Sequence, residues 1–183
     1  DHAAAALAES IVKGGHNLNK EKAYEAMRKS AFEIANSKDY KDGKGRRALQ
    51  TYLKYGYIPL NDSVKEAFHT REQVSRTLEY AYDDYAVAQA AKALGKTEDY
   101  MRLMARARNW RNVINPKTGW ADGRWANGRW LNNSNIDTRE PFITEGTPAQ
   151  YTWYVPHDVY GLIDVMGGKA TFTARLDRMF RDS

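Results

Sequence analysis

An all-α fold is the class that the sequence predicts, and three observations support it. Apolar residues recur at steps of three and four along most of the chain, which is the spacing of one helix face. The longest such stretch carries further small or apolar residues beside its main stripe, at Ala86, Val87, Ala90 and Ala91. Helices buried on two sides favour a helical toroid over a small bundle. Residues 115–146 contain no convincing helical pattern, so we expect one long aromatic loop there.

The first third of the chain predicts three helices. Residues 3–13 form the first, and a pair of glycines ends it. Asn19 is expected to cap the second helix, because Asn is a favoured residue at that position. Residues 36–45 are polar and contain glycine, so they predict a loop. A short helix is then expected over residues 45–55. It ends ahead of Pro59, because proline disfavours helix in the residue that precedes it.

The remaining helices follow the same signals. The clearest helix runs from about residue 70 to residue 94 and ends at a glycine. Thr97 is expected to cap the next helix, which Asn115-Pro116 would end. A last pair of helices covers residues 159–166 and 172–180, with two glycines between them.

Composition excludes several classes of protein. The chain has 183 residues, 42% hydrophobic and 28% charged, which is ordinary for a folded domain or part of one. It contains no cysteine, which excludes a disulfide scaffold, a thiol nucleophile and a cysteine-ligated zinc site. No apolar stretch is long enough to span a membrane. Helical periodicity begins at residue 3 without an initiator methionine, so we expect an excerpt of a longer protein.

The positive charge is concentrated in one segment. Residues 101–130 contain seven basic residues and one acidic residue, Asp122, which accounts for the whole excess behind the net charge of +5. Four of the five tryptophans lie in the same segment. A basic, tryptophan-rich segment is typical of a nucleic-acid-binding module, which is one alternative function.

A five-residue repeat lies within this basic segment. It reads Trp-Ala-Asp-Gly-Arg from residue 120, Trp-Ala-Asn-Gly-Arg from residue 125, and then Trp130. Asp-Gly and Asn-Gly are strong signals of tight turns. Two interpretations remain open. Successive turns could present Trp120, Trp125 and Trp130 together as a stacking platform, or the rings could be buried and hold a long loop to the helices.

Residues 144–158 form the most unusual segment of the chain. An acid, an amide, three aromatic residues and a His-Asp pair lie close together there, with Pro148 and Pro156 among them. Glu145 is expected to be desolvated, and desolvation raises the pKa of a carboxyl, as a glycosidase general acid requires. A surface or capping role is the alternative for Glu145. Asp158 precedes a helix and is expected to cap it.

Two adjacent carboxylates lie in the longest predicted helix. Asp83 and Asp84 point about 100° apart, so they do not easily face one ligand together. Asp84 flanks the apolar stripe and could reach a sugar hydroxyl, while an ion pair or cap is the alternative role. The four histidines have no metal-ligand spacing, and the chain has no glycine-rich phosphate loop and no nucleophile elbow.

Five separated motifs together resemble one known family, the glycoside hydrolase family 92 α-mannosidases. The match extends over essentially the whole chain in family order. The motifs are Asp1-His2 with the alanine-rich helix after it and Glu21–Met27, then Tyr52–Pro59, Val74–Asp84, Thr144–Gly146 with Gln150–Trp153, and Val155–Val159.

The resemblance implies the fold and the reaction. It implies that residues 1–183 are part of an (α/α)6 toroid, with the N-terminal β-sandwich and the C-terminal part of the toroid absent. Members are calcium-dependent, exported exo-α-mannosidases that invert the anomeric configuration, so calcium and a mannose-containing oligosaccharide or glycoprotein glycan are expected as cofactor and substrate. The family's general acid matches Glu145. Its general base lies in a Gly-Asn-Asp-Asp motif that this chain lacks, so the chain alone is expected to be inactive.

The candidate site residues follow from this resemblance and from the unusual segment. Glu145 is the catalytic candidate, and the substrate-binding candidates are Trp125, Gln150, Trp153, His157 and Asp84. No metal ligand is assigned within the chain. Two segments depart from the family pattern. At Thr147–Ala149 the family's side-chain contacts are not carried over, and the different loop at 119–130 implies an altered substrate preference in the outer subsite. Besides a nucleic-acid-binding module, another (α/α)6 carbohydrate-active enzyme is an alternative function.

Overall fold

Helices dominate the computed structural model, which describes residues 3–65, 67 and 69–181, and this confirms the all-α class. Asp1 and His2, where the family resemblance begins, lie outside the described residues. In chain order the helices are α1 (Ala3–Val12), α2 (Lys20–Phe32), α3 (Ser37–Lys41), α4 (Leu49–Tyr55), α5 (Gln73–Ala93), α6 (Thr97–Arg106), α7 (Pro148–Tyr151), α8 (Val159–Val165) and α9 (Lys169–Arg181).

The long loop predicted after the sixth helix is present, and it begins with a small sheet. A 3₁₀ helix, Ala107–Asn112, follows α6, and two antiparallel strands come next, β1 (Ile114–Asn115) and β2 (Trp120–Ala121). Residues 122–147 then form neither helix nor named strand. The sheet is too short to change the fold class, but it fixes the start of the loop against the core.

Several predicted helix ends are confirmed. The side chain of Asn19 accepts a hydrogen bond from the N–H of Lys22 at 3.0 Å, as expected of a cap at the start of α2. Asp158 caps α8 in the same way, accepting from the N–H of Gly161 at 3.0 Å. Gly56 ends α4 in the left-handed conformation, with a φ of 72°.

Other boundaries differ from the prediction. The loop expected over residues 36–45 contains α3, because the side chain of Asn36 accepts from the N–H of Asp39 and starts a helical turn. Thr97 does not cap α6 but is the first residue of the helix, and Lys96 occupies the cap position. The N–H of Thr97 donates to the carbonyl of Gly95 at 3.1 Å. The α-helical hydrogen bonding of α6 also stops before Asn115-Pro116 and gives way to the 3₁₀ helix.

Helix α7 is not predicted by periodicity, because four residues are too few to show it. The sequence nevertheless contains local signals for the start of this helix. Thr147 and Gln150 form a capping box, in which each side chain accepts a hydrogen bond from the other's backbone N–H. Pro148 occupies the first turn of the helix, where its missing N–H costs no hydrogen bond.

Helix α5 is the central element of the fold. Its N-terminal half packs Val74, Leu78 and Ala81 into a core shared with the 3₁₀ helix, the small sheet and segment 142–155. Its C-terminal half, including Val87, packs into a second core formed with α1, α2 and α6. The sequence prediction that this helix is buried on more than one side is confirmed.

A buried carboxylate organises the long loop. Asp122 is buried, and its Oδ2 accepts hydrogen bonds from Asn115 Nδ2 at 2.9 Å and from the N–H of Asn132 at 3.0 Å. Its Oδ1 accepts from the N–H of Asn133 at 3.3 Å. Buried polar groups require such partners, so this loop is held in a defined conformation despite its lack of helix.

Membrane-spanning helices are not found in the part of the chain that the structure describes, because none of its helices is both long and apolar enough to cross a bilayer.

Candidate active site

Segment 144–157 lies against one face of α5, and this contact builds the candidate site. The N–H of Thr144 donates to the hydroxyl oxygen of Ser75 at 2.7 Å. The phenol of Tyr151 donates a short hydrogen bond to the Glu79 carboxylate. Ser75 and Glu79 are four residues apart in α5 and therefore share one helix face. Segment 144–157 is thus attached to a rigid helix on both sides of Glu145.

Glu145 occupies a left-handed backbone conformation, with a φ of 49°. Non-glycine residues rarely adopt this conformation, and it often marks a functional position. The expected desolvation of Glu145 is not present in this chain, because the turn that carries it lies at the surface and leaves the residue exposed. Its carboxyl forms no hydrogen bond or ion pair with any described residue. The turn therefore presents a free carboxyl group.

Gln150 braces the turn that carries Glu145. Its Oε1 accepts from the N–H of Thr147 at 3.0 Å, and it would lie 3.1 Å from a Cβ placed on Gly146. The small residue after Glu145 therefore fits the close approach of this amide. Gln150 is exposed, and its Nε2 makes no hydrogen bond with the described residues. The side-chain amide of this predicted substrate contact is therefore available as a donor.

Trp153 is half-buried, and its ring is held edge-on by two aromatic neighbours. The ring centroids lie 6.2 Å from Trp120 and 5.3 Å from Phe172. Its indole Nε1 is buried and has no hydrogen-bond partner among the described residues. The contacts of Trp153 within this chain are therefore those of packing, with one unused donor.

His157 is enclosed by aromatic rings and by the backbone. Its ring lies 5.9 Å from that of Tyr82 and 5.4 Å from that of Tyr85. Its Nε2 lies 2.8 Å from the carbonyl oxygen of Ala107, so this nitrogen carries the hydrogen. Burial lowers the pKa of His157, which favours the neutral ring. Its Nδ1 is then a buried acceptor with no partner among the described residues.

Asp84 has the ion-pair role that was its alternative interpretation. It is 0% exposed, and its carboxylate lies 2.5 Å from Arg46 Nη1 and 2.8 Å from Arg106 Nη2. The phenol of Tyr52 donates to its other oxygen at 3.1 Å. Both oxygens are used within the fold, so the geometry does not support Asp84 as a sugar contact.

Asp83 is the titratable group that the sequence did not single out as functional. It is 2% exposed, and burial raises its pKa to about 7, although the nearby Arg46 opposes the rise. The charges of Asp84 and Glu79 add to the rise. The only sequence signal was its place beside Asp84 in the longest helix, which does not reveal burial on a second side.

Trp125 lines a cleft to which segment 144–157 contributes none of the described residues. This cleft of about 350 Å³ is also lined by Asn61 and Arg129, and the carbonyl oxygen of Trp125 accepts from the phenol of Tyr57 at 2.7 Å. No hydrogen bond or ring contact joins Trp125 to segment 144–157 among the described residues.

The three tryptophans of the repeat do not form a shared platform within the described residues. Trp120 packs edge-on against Trp153, while the Arg124 guanidinium lies 4.9 Å from the centre of the Trp130 ring. Trp125 lies in its own cleft. The interpretation in which these rings hold the loop to the core fits Trp120 and Trp130 best.

Several of the arginines in the basic segment are used inside the fold. Arg106 pairs with Asp84 and also donates to the carbonyl of Ala31 at 2.8 Å. Arg111 pairs with Asp158 at 3.2 Å and lies 4.4 Å from the centre of the Trp110 ring. The concentration of charge in the sequence therefore overstates the positive surface of the folded chain.

Calcium ligands cannot be assigned from these residues. In the described ranges, no group of three or more Asp, Glu or His side chains is arranged to hold a metal ion. Calcium prefers six to eight oxygen ligands, so the residues present do not make a calcium site by themselves.

Comparison with known proteins identifies the class. The chain is 40% identical to the family GH92 α-mannosidase BT3965 of Bacteroides thetaiotaomicron, with a TM-score of 0.83 over 98% of this chain. It is 31% identical to the inverting mannosidase BT2199 of the same organism, with a TM-score of 0.85 over 98% of this chain. The fold and these relatives define a glycoside hydrolase built on an (α/α)6 toroid, which confirms the predicted fold class.

The family follows from a match over the whole chain. The chain belongs to glycosyl hydrolase family 92, whose catalytic domain it matches over residues 1–183. A secreted glycosidase of Arthroderma benhamiae is 31% identical over 93% of this chain. The chain spans 22% of the length of BT3965, 23% of BT2199 and 25% of the fungal relative.

Proposed function

We propose that the complete enzyme releases terminal α-linked mannose from oligosaccharides or glycoprotein glycans, with Glu145 as the general acid. The observation that carries this proposal is the exposed carboxyl of Glu145 on a left-handed turn within the family's Thr-Glu-Gly motif. The names of the relatives support the substrate class, and one of them, BT3965, is also known in complex with mannoimidazole.

The chemistry assigned to Glu145 is protonation of the departing oxygen. In an inverting glycosidase, one carboxylic acid protonates the leaving group and a second carboxylate deprotonates the attacking water. The two groups stand about 6.5–9.5 Å apart to leave room for that water. Here we assign only the acid to this chain, and we propose that the general base belongs to the remainder of the longer enzyme.

The free carboxyl of Glu145 needs a pocket around the substrate to act as an acid. Within the described residues the side chain is exposed. We propose that the rest of the toroid and the bound sugar cover it in the complete enzyme. Exclusion of water would then favour the protonated form before the bond to the leaving group breaks.

Calcium assistance and export belong to the same proposal. Calcium, when bound, would stabilise charge on the sugar oxygens, and we place its ligands in the remainder of the longer enzyme. Export is supported by the secreted relative from Arthroderma benhamiae.

The test of Glu145 uses the leaving-group dependence of the complete enzyme. Glu145→Gln should lower kcat/KM by about 10²-fold to 10⁴-fold on a mannose disaccharide, whose leaving group is poor and needs a proton. Activated aryl mannosides with a good leaving group should lose much less. Glu98→Gln, an exposed change on α6, is the matched control and should leave both rates unchanged.

Equal losses of Glu145→Gln on both substrates would contradict the assignment of the acid. A panel of other aryl glycosides separates mannosidase activity from that of another (α/α)6 enzyme. Tight binding of an oligonucleotide that weakens steeply with added salt would favour the nucleic-acid alternative instead.

A further inference from the structure

We propose that Ser75, Glu79 and Tyr151 form a positioning network that holds Glu145 in its left-handed turn for proton transfer. The inference rests on the proposed function, because it concerns how the same acid is placed. None of these three residues is assigned a contact with substrate. They act on Glu145 through the backbone of segment 144–157.

The first attachment lies immediately before the acid. The hydroxyl oxygen of Ser75 accepts the N–H of Thr144 at 2.7 Å, and Ser75 is 0% exposed. Two residues earlier in the chain, the carbonyl of Phe142 accepts hydrogen bonds from the N–H groups of Val74 and Ser75 at 3.0 and 3.3 Å. The chain entering the turn is therefore tied to the first turn of α5.

The second attachment lies after the acid. Tyr151 ends α7, and its phenol donates a short hydrogen bond to Glu79, one turn further along α5 than Ser75. Burial, followed by the hydrogen bond and charge of Glu79, raises the pKa of Tyr151. The phenol therefore stays protonated as a donor, and both attachments end on the same face of α5.

The backbone of Glu145 needs such restraint. A left-handed conformation is unfavourable for a non-glycine residue and persists only where its surroundings enforce it. Here the turn lies between the Ser75 attachment and the capping box of Thr147 and Gln150, and Tyr151 closes the same helical turn. Loss of one attachment should allow Glu145 to relax.

Helix α5 is suited to hold this network because it is fixed on both sides of the fold. Ser75 and Glu79 lie on its N-terminal half, whose apolar residues enter one core, while its C-terminal half enters the other. A general acid must meet the leaving oxygen within about 0.5 Å of its productive position. A loop held only by exposed contacts would not provide that accuracy.

Tyr151→Phe in the complete enzyme is the direct test, because it removes one hydroxyl and keeps the ring. We expect kcat on a mannose disaccharide to fall about tenfold to 100-fold, with little change in KM. The rate on a mannoside with a good leaving group should fall less than about threefold, because that substrate needs the acid least. Ser75→Ala should show the same selectivity.

Tyr80→Phe is the matched control. It removes a phenol from the same helix, where the Tyr80 hydroxyl donates to the carbonyl of Arg47 at 3.0 Å, away from segment 144–157. It should affect both substrates equally. Thermal unfolding of each variant separates loss of folded enzyme from loss of positioning, since unfolded protein lowers both rates by the same factor.

The outcomes distinguish the two proposals. If Glu145→Gln is selective for the poor leaving group but Tyr151→Phe and Ser75→Ala are not, the positioning network is wrong and the acid stands. If Glu145→Gln itself shows no selectivity, the proposed function fails first. Selective losses in all three variants, with none in Tyr80→Phe, would support the network.

Discussion

At the residue scale, two carboxyl groups show how differently a side chain can be used. Glu145 is exposed on a left-handed turn, where the fold leaves its oxygens free. Asp83 is buried in α5 and makes no hydrogen bond with the described residues. The first is available for chemistry at the surface, while the second is expected to influence how the stability of the fold depends on pH.

Asp83 should make the protein less stable as the pH rises. Burial raises its folded pKa to about 7 from an ordinary value of 3.8, so the folded state binds the proton more tightly than the unfolded state. Its stabilising protonation is therefore complete below about pH 4 and is lost as the pH rises through 7. Asp83→Asn should remove this loss, with an upper limit of about 4 kcal/mol.

The measurement for Asp83 is the thermal midpoint of the protein and of Asp83→Asn between pH 4 and pH 8. The difference between the two should favour the variant increasingly as the pH rises. A constant difference across this range would contradict the raised pKa. Glu98→Gln, exposed on α6, serves as a control that should not change the profile.

At the element scale, α4, α5 and α6 meet at one buried charge. Asp84 of α5 accepts hydrogen bonds from Tyr52 of α4 and from Arg106 at the end of α6. Arg46, which precedes α4, completes the cluster and is itself buried. Two guanidinium groups and one carboxylate thus join three helices that are separate in the sequence.

Asp84→Ala should destabilise the protein by about 3–5 kcal/mol, because it removes the buried carboxylate with which two guanidinium groups pair. Asp137→Ala is the matched control, since its ion pair with Arg178 is exposed and should be worth about 0–1 kcal/mol. Urea unfolding of both variants gives the comparison. Similar losses of unfolding free energy in the two variants would contradict the prediction that the buried Asp84 cluster contributes more to stability than the exposed ion pair.

Elements also show where local signals are sufficient. The cap of α2 at Asn19 and the cap of α8 at Asp158 were readable because one side chain and one nearby N–H decide them. Thr97 shows the limit of this approach. A good capping residue was present, but the chain began its helix one residue earlier, behind Lys96.

At the scale of the whole molecule, the chain corresponds to only part of each of its longer relatives. It spans 22% of BT3965 and 25% of the secreted fungal glycosidase. Gly-Asn-Asp-Asp, the motif in which the resemblance places the general base, does not occur in these 183 residues. Under the proposed mechanism, catalysis by an acid and a base would require residues beyond the printed sequence.

Isolated residues 1–183 should release no mannose from a disaccharide, because they hold only one member of the proposed carboxyl pair. The complete enzyme should be active, and a calcium chelator should abolish that activity until calcium is restored. Assays with and without chelator measure both. Mannose release by the isolated chain would contradict the assignment of the base, and chelator-resistant activity of the complete enzyme would contradict calcium dependence.

The sequence by itself determined the helical class, most helix ends and the motif that carries Glu145. These features depend on apolar spacing, capping residues and turn residues, which act over a few neighbours in the chain. Only the tertiary structure decided that Asp84 is enclosed by two arginines, that Trp125 lines a cleft with Asn61 and that Ser75 and Tyr151 flank the turn. These relations join residues far apart in sequence, and burial by distant elements leaves no local pattern.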